Sequence, residues 1–121
     1  MIREEVVAGG CRGIEHHTDY LRARPADLQV CQRAAAIFGA LGDVNRMRLL
    51  SLLANREMCV TDLTIALADN LPAVSQRLKL LRAERIVRTR RQGKHIYYRL
   101  ADQHICSLIV NGLAHGSETD E

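Results

Sequence analysis

Past Glu84 the spacing of apolar residues changes from a step of three or four to a step of two, and this constrains the fold more than any other feature of the chain. Before the change, Val74, Leu78 and Leu81 recur at helical spacing, with Ser75, Gln76, Arg77 and Lys79 on the other faces. After it, Ile86-Val87-Arg88-Thr89-Arg90-Arg91 and Lys94-His95-Ile96-Tyr97-Tyr98-Arg99-Leu100 alternate around Gln92-Gly93, a turn pair in which Gly supplies a positive φ. The spacing predicts a helix from Pro72 to about Glu84 that runs straight into a two-stranded hairpin with basic residues at its tip. Pro72 suits the first helical turn, where its missing N–H has no partner to lose.

The remainder reads as helix. Leu28, Cys31, Ala35, Phe38 and Leu41 keep the helical period from about residue 27 to 41, and Gly42 ends that run. Asp43 is a good N-cap for the next helix, about 44–54, and a short helix over about 60–68 follows. Ala68-Asp69-Asn70 forms a polar linker into the helix that starts at Pro72, and Asp102 caps a last helix, about 103–115. Aromatic residues are only 3% of the chain, so the core is built from Leu, Ile, Val and Ala, which favours helices over a β-sandwich. Residues 1–25 lack steady periodicity and are expected to form a flexible arm, with 26–118 as one domain and 119–121 as a tail. The acids of Met1-Ile2-Arg3-Glu4-Glu5 stand where a secretory signal carries basic residues, so the cytoplasm is the expected compartment.

Charge is distributed very unevenly. Residues 77–99 hold nine Lys/Arg against Glu84 alone, while the flanking segments are acidic in balance. One acid cannot neutralise such a block, and a dense basic stretch in a small protein is an electrostatic footprint for a polyanion. A solvated face with scattered ion pairs is the plainer alternative. Short helix, turn, second helix and basic hairpin together predict a mainly α fold with a small β-hairpin, a winged helix-turn-helix. Such a module inserts its second helix in the major groove. Ser75, Gln76, Arg77 and Lys79 on that helix are the candidate contacts to bases and phosphates. Arg88, Arg90, Arg91 and Lys94 of the hairpin are candidates for flanking backbone. Nothing in the sequence resembles a catalytic constellation, so a binder of double-stranded DNA is expected rather than an enzyme. A module this small reads few base pairs alone, so a two-fold dimer is expected, with the helices at 27–41 and 103–115 supplying its surface. Gly112 within the last helix is compatible with a close helix–helix approach there.

The last helix carries a second pattern. Asp102, His104, His115 and Glu118 offer nitrogen and oxygen donors of the kind that bind zinc. His104 and His115 are separated by roughly 16 Å of helix at 1.5 Å per residue, so the two pairs cannot meet on one ion within one chain. They meet if the helix lies antiparallel to its symmetry mate, giving two identical sites per dimer. Taken singly, each of the four is equally a cap or a surface polar group.

The sequence resembles the ArsR/SmtB metal-sensing repressors, and within them the SmtB-like zinc sensors. The resemblance covers about residues 35–118 and is carried by Ala40-Leu-Gly-Asp-Val-Asn-Arg-Met-Arg-Leu-Leu-Ser-Leu-Leu, Glu57-Met-Cys-Val-Thr-Asp-Leu, Ala73-Val-Ser-Gln-Arg-Leu-Lys-Leu-Leu-Arg, Arg91-Gln-Gly-Lys-His-Ile-Tyr-Tyr-Arg-Leu and Asp102-Gln-His. It implies a homodimeric repressor that holds its operator when metal-free and leaves it when zinc binds. It assigns the ion to Asp102, His104, His115 and Glu118 between subunits. It also implies a link from His115 to the DNA-reading domain through the Arg85 carbonyl, with Leu81 beyond. A second metal site is implied at Cys59 and Asp62, completed by Cys11, His16 and His17 from the arm of the other subunit. Cys59 departs from the Cys-x-Cys of soft-metal relatives, since no second Cys follows it. Zinc is the first expectation, with Cd(II), Pb(II), Co(II) or Cu(I) as alternatives. Cys31 and Cys106 have apolar neighbours and are expected to be packing residues. Two other readings compete: a thiol-based redox or persulfide-responsive repressor on the same scaffold, and a metal-buffering protein, which has no use for the basic block.

Overall fold

The computed structural model describes residues 23–119. Five helices and three short strands follow one another in the order α1 (Leu28–Leu41), α2 (Val44–Leu53), β1 (Met58–Cys59), α3 (Val60–Leu67), α4 (Leu71–Ala83), β2 (Val87–Gln92), β3 (His95–Leu100) and α5 (Gln103–Gly116). Side-chain caps start four of the helices. The Asp27 carboxylate accepts from the Gln29 and Val30 N–H groups, Asp43 from Arg46, Asn70 from Ala73 and Asp102 from Ile105. Each cap satisfies an N–H that the first turn leaves without an intrahelical partner.

The ends of α3 and α4 are built alike. In each, an N–H just past the helix reaches back five residues across the last turn: Asp69, two past α3, donates to the Thr64 carbonyl (3.2 Å), and Ile86, three past α4, to that of Leu81 (2.9 Å). The residue between takes left-handed backbone, Ala68 at φ 53° and Arg85 at φ 61°, where glycine is the usual occupant. Ile86 and Leu81 are both fully buried, the apolar contact that accompanies this turn. The bend at Arg85 turns the chain from α4 into β2 within three residues, 84–86.

β2 and β3 pair antiparallel with Arg90 opposite Tyr97 and Gln92 opposite His95. The turn residues are therefore Gly93 and Lys94, one position later than the Gln92-Gly93 expected from sequence. Gly93 has φ 63°, the positive φ that a type II′ turn needs at its first central residue. β1 adds a third strand to the expected two, with Met58 opposite Tyr98 and Cys59 opposite Tyr97.

One core holds the elements together. Leu49, Leu50 and Leu53 of α2, Leu63 and Leu67 of α3, Val74, Leu78 and Leu81 of α4, Ile86, Val87, Ile105 and Ile109 are all buried. Each such side chain contributes about 1.5–3 kcal/mol on leaving water. α1 stands apart, with Ala40 alone buried, while Leu28 and Phe38 are 71% and 58% exposed. Cys31 lies on this uncovered helix and is exposed, contrary to its expected packing role, and Cys106 is half-buried. Among the described residues, a Cβ on Gly112 would meet nothing within 4 Å, so no described helix approaches it closely. Among the described residues, no helix is long and apolar enough to cross a membrane.

Candidate nucleic-acid interface and metal centre

α3, the left-handed Ala68 turn and α4 form a helix-turn-helix, and β2–β3 form the wing. Ser75, Gln76 and Lys79 project from the outer side of α4 and are exposed, as sequence spacing predicts, because Val74, Leu78 and Leu81 occupy the inner side. Arg77 is half-buried. Its Nη1 donates to Asp69 Oδ2 at 2.8 Å, and the Asp69 carboxyl lies below the usual range chiefly because of that bond.

On the wing, Arg88, Arg91 and Lys94 are exposed. Arg90 is tied down: its Nη2 and Nε donate to Glu57 Oε1 at 2.6 and 3.1 Å, and its guanidinium stands 5.0 Å from the Tyr97 ring centroid. Arg99 Nε approaches the other oxygen of Glu57 at 3.9 Å. The hydrogen bond from Arg90 is the main cause that holds the Glu57 carboxyl below its ordinary value. Sequence reasoning passed over both Glu57 and Asp69. Both acids lie before the basic block, Asp69 by eight residues and Glu57 by twenty, where no local spacing links them to it.

The candidate metal ligands fall into two pre-formed couples at opposite ends of α5. His104 Nδ1 lies 3.8 Å from Asp102 Oδ1, and His115 Nδ1 lies 3.6 Å from Glu118 Oε1. The imidazoles are 95% and 88% exposed, so both are open to an external partner. Asp102 Oδ1 is also the N-cap acceptor for Ile105 N–H at 3.0 Å, which leaves Oδ2 free for a cation. The Ile105 N–H, and secondarily His104, hold the Asp102 carboxyl below the usual range. Among the described residues, no three His, Cys, Asp or Glu gather where they could hold one ion. The donor chemistry fits zinc, but each end of the helix presents half of a site.

Asp102 and His104 share a cleft of about 560 Å³ with Arg85, Glu84 and Arg33. Arg85 thus lies beside the first ligand couple, at the joint between α4 and the wing. The Leu81 carbonyl accepts from Ile86 N–H at the same joint. Cys59 is half-buried at the N-cap position of α3, and Asp62 is exposed in its first turn. Their expected partners Cys11, His16 and His17 lie outside the described residues.

Residues 43–89 match the family described as bacterial regulatory protein, arsR family. The chain is 43% identical over 93 residues to a transcriptional repressor SmtB homolog of Synechocystis sp., spanning 77% of this chain and 70% of that protein. It is 31% identical over 120 residues to the HTH-type transcriptional repressor SmtB of Mycobacterium tuberculosis, spanning 95% and 89%. Among solved structures, the homodimeric winged helix-turn-helix DNA-binding domain Mb0332 of Mycobacterium bovis, a possible ArsR-family regulator, superposes with a TM-score of 0.72 at 29% identity over 82% of this chain and 94% of that one. The AntR antimony-specific transcriptional repressor does so with a TM-score of 0.67 at 33% identity, over 79% and 88%.

Proposed function

The chain belongs to the arsR family of bacterial regulatory proteins and is a transcriptional regulator with a winged helix-turn-helix fold, and from that premise we propose that it is a homodimeric, metal-responsive repressor released from its operator by zinc or a related ion. The observation that carries this reading is the pair of half-sites on α5. Two His–carboxylate couples, each ready to chelate and each without further donors nearby among the described residues, stand at opposite ends of one helix. A second copy packed antiparallel supplies the missing half at both ends. The uncovered apolar residues of α1 and α5, Phe38, Leu108 and Leu113 among them, give such a copy a surface to cover.

In this reading Asp102 and His104 of one subunit and His115 and Glu118 of the other would hold the ion, which would supply a charged cross-link between the two helices. The residues of this chain do the rest. Asp102 would keep its cap bond to Ile105 N–H and offer its other carboxylate oxygen to the ion. Arg85 receives the displacement, since it lines the same cleft as Asp102 and His104. From Arg85 the strain passes along the Leu81–Ile86 bond to α4 and the wing, altering the distance between the two reading helices. A coupling free energy of about 1–3 kcal/mol lowers DNA affinity by about 5–150-fold, and DNA weakens metal binding by the same factor. Cys59 and Asp62, with Cys11, His16 and His17 of the partner's arm, form the second candidate centre.

Titration of DNA with the wild type, His104→Ala and His115→Ala, with and without zinc, tests the proposal. Zinc should release the wild type and neither variant, and equal release in all three would refute the assignment. Counting free thiols in the released form separates this reading from a thiol-based switch, which consumes some of them.

A further inference from the structure

The turn of the helix-turn-helix contains an acid that the repressor reading does not use. Asp69 precedes the N-cap Asn70, in a surface whose role is to approach phosphates, and there a carboxylate is electrostatically costly. A partly exposed ion pair contributes little stability in return. Yet Asp69 is held from three sides. Its N–H donates to the Thr64 carbonyl, its Oδ1 accepts from Asn70 N–H at 2.7 Å, and its Oδ2 accepts from Arg77 Nη1 at 2.8 Å. The carboxylate is thus a fixed buttress against which the Arg77 guanidinium is set.

Arg77 has no other hydrogen-bond partner among the described residues. A guanidinium carries five N–H donors on a rigid plane, and Asp69 engages only Nη1. The Nε–Nη2 edge makes no hydrogen bond among the described residues, and a side edge of this kind pairs with two acceptors at once, as guanine O6 and N7 offer in the major groove. We propose that Asp69 is a positioning residue for sequence readout, aiming the free edge of Arg77 at one guanine in each half-site.

Two effects follow from the same geometry. Fixing the guanidinium before binding removes part of the ordering cost of the specific contact. Holding Arg77 on Asp69 also keeps it from swinging to a phosphate, where it adds affinity without sequence information. Asp69 therefore raises affinity for the correct site and lowers it for all others. The inference rests on the repressor reading above, in that it requires α4 to enter the groove.

The test is selection of binding sites from a pool of randomised duplexes by the full-length, metal-free protein, its Asp69→Asn and Arg77→Lys variants and the double variant. The wild type should enrich a two-fold motif with a guanine at one position per half-site. Asp69→Asn should keep the rest of the motif, lose preference at that position and bind the wild-type site about tenfold more weakly. Its affinity for unrelated DNA should hold or rise, and its thermal midpoint should fall only slightly, as expected for one partly exposed ion pair. Arg77→Lys should lose preference at the same position, and the double variant should lose no more than either alone. Three results would overturn the proposal: an unchanged motif in Asp69→Asn, a sharper motif with tighter binding, or an equal loss on all sequences with a lowered midpoint. If the wild type enriches no sequence at all, the repressor reading fails first and this inference with it.

Discussion

Glu57 and Arg90, 33 residues apart in sequence, are joined by a 2.6 Å contact between Oε1 and Nη2 that ties the wing to the segment before β1. Because Arg99 also leans toward Glu57, one carboxylate restrains two of the wing's cations. Arg91 and Lys94 at the tip are left free to meet DNA. Glu57→Gln should release Arg90 and remove a charge that repels phosphates. Binding to DNA of any sequence should tighten at low salt, and the slope of log K against log salt should steepen by up to about one. Anisotropy titrations at several salt concentrations read this directly. An unchanged slope would mean that Arg90 does not reach the backbone even when freed.

The same pair sets a pH dependence. Glu57 has an ordinary value of 4.5, and the hydrogen bond from Arg90 lowers it in the folded chain. A carboxyl whose folded pKa is depressed contributes stability that is complete above its unfolded pKa and fades as pH falls through the folded one. The Asp69 carboxyl is lowered in the same direction by Arg77. The thermal midpoint should therefore decline as pH drops below about 4.5, and the decline should be shallower in Glu57→Gln, which has no proton to gain there. Parallel profiles for wild type and variant would show that the ion pair contributes nothing in solution.

Two left-handed positions should respond in opposite directions to one kind of exchange. Ala68, at φ 53°, carries a Cβ where glycine is unstrained, so Ala68→Gly should stabilise the fold by a few tenths to about 1 kcal/mol. Gly93, at φ 63°, has nothing within 4 Å of where a Cβ would stand. Gly93→Ala therefore carries backbone strain alone and should cost about 1 kcal/mol. Denaturant midpoints at constant m-value decide both cases.

The elements legible in the sequence were those with a period or a cap. Val74, Leu78 and Leu81 announced the inner face of α4, and Asp43 and Asp102 announced helix starts, because these signals act within a few residues. β1 was missed: a two-residue strand has no period to detect and exists only because β3 offers an edge. The hairpin turn was shifted by one residue because Gly93 serves equally as first or second central residue until the strand register is fixed. Cys31 is exposed in the single chain, and a helical stripe of apolar residues reads the same whether its cover comes from the same chain or from another. For the same reason the couples Asp102–His104 and His115–Glu118 were legible, while the residues holding Arg77 and Arg90 were not. A couple two or three residues apart is a local pattern, whereas the choice of Asp69 and Glu57 as partners depends on tertiary placement.

The metal assignment makes a prediction that no single-chain arrangement shares. One variant lacks Asp102 and His104, and the other lacks His115 and Glu118. Each homodimer retains four donors, but all from the same end of α5, and in an antiparallel pair these stand about 16 Å of helix apart. Neither homodimer should hold zinc tightly. In a heterodimer of the two variants, one end recovers the complete set, with Asp102 and His104 from one chain facing His115 and Glu118 from the other, and the opposite end loses all four. Such a heterodimer should bind one ion where the wild-type dimer binds two, and it should regain part of the release from DNA. A site within one chain would leave the heterodimer as empty as its parents. A parallel pairing of the α5 helices would instead let each homodimer bind one ion, since like ends would then meet, and would leave the heterodimer with half a site at either end. Metal analysis of tagged, purified heterodimers against both homodimers therefore distinguishes the three geometries by stoichiometry alone, independent of which operator the protein reads.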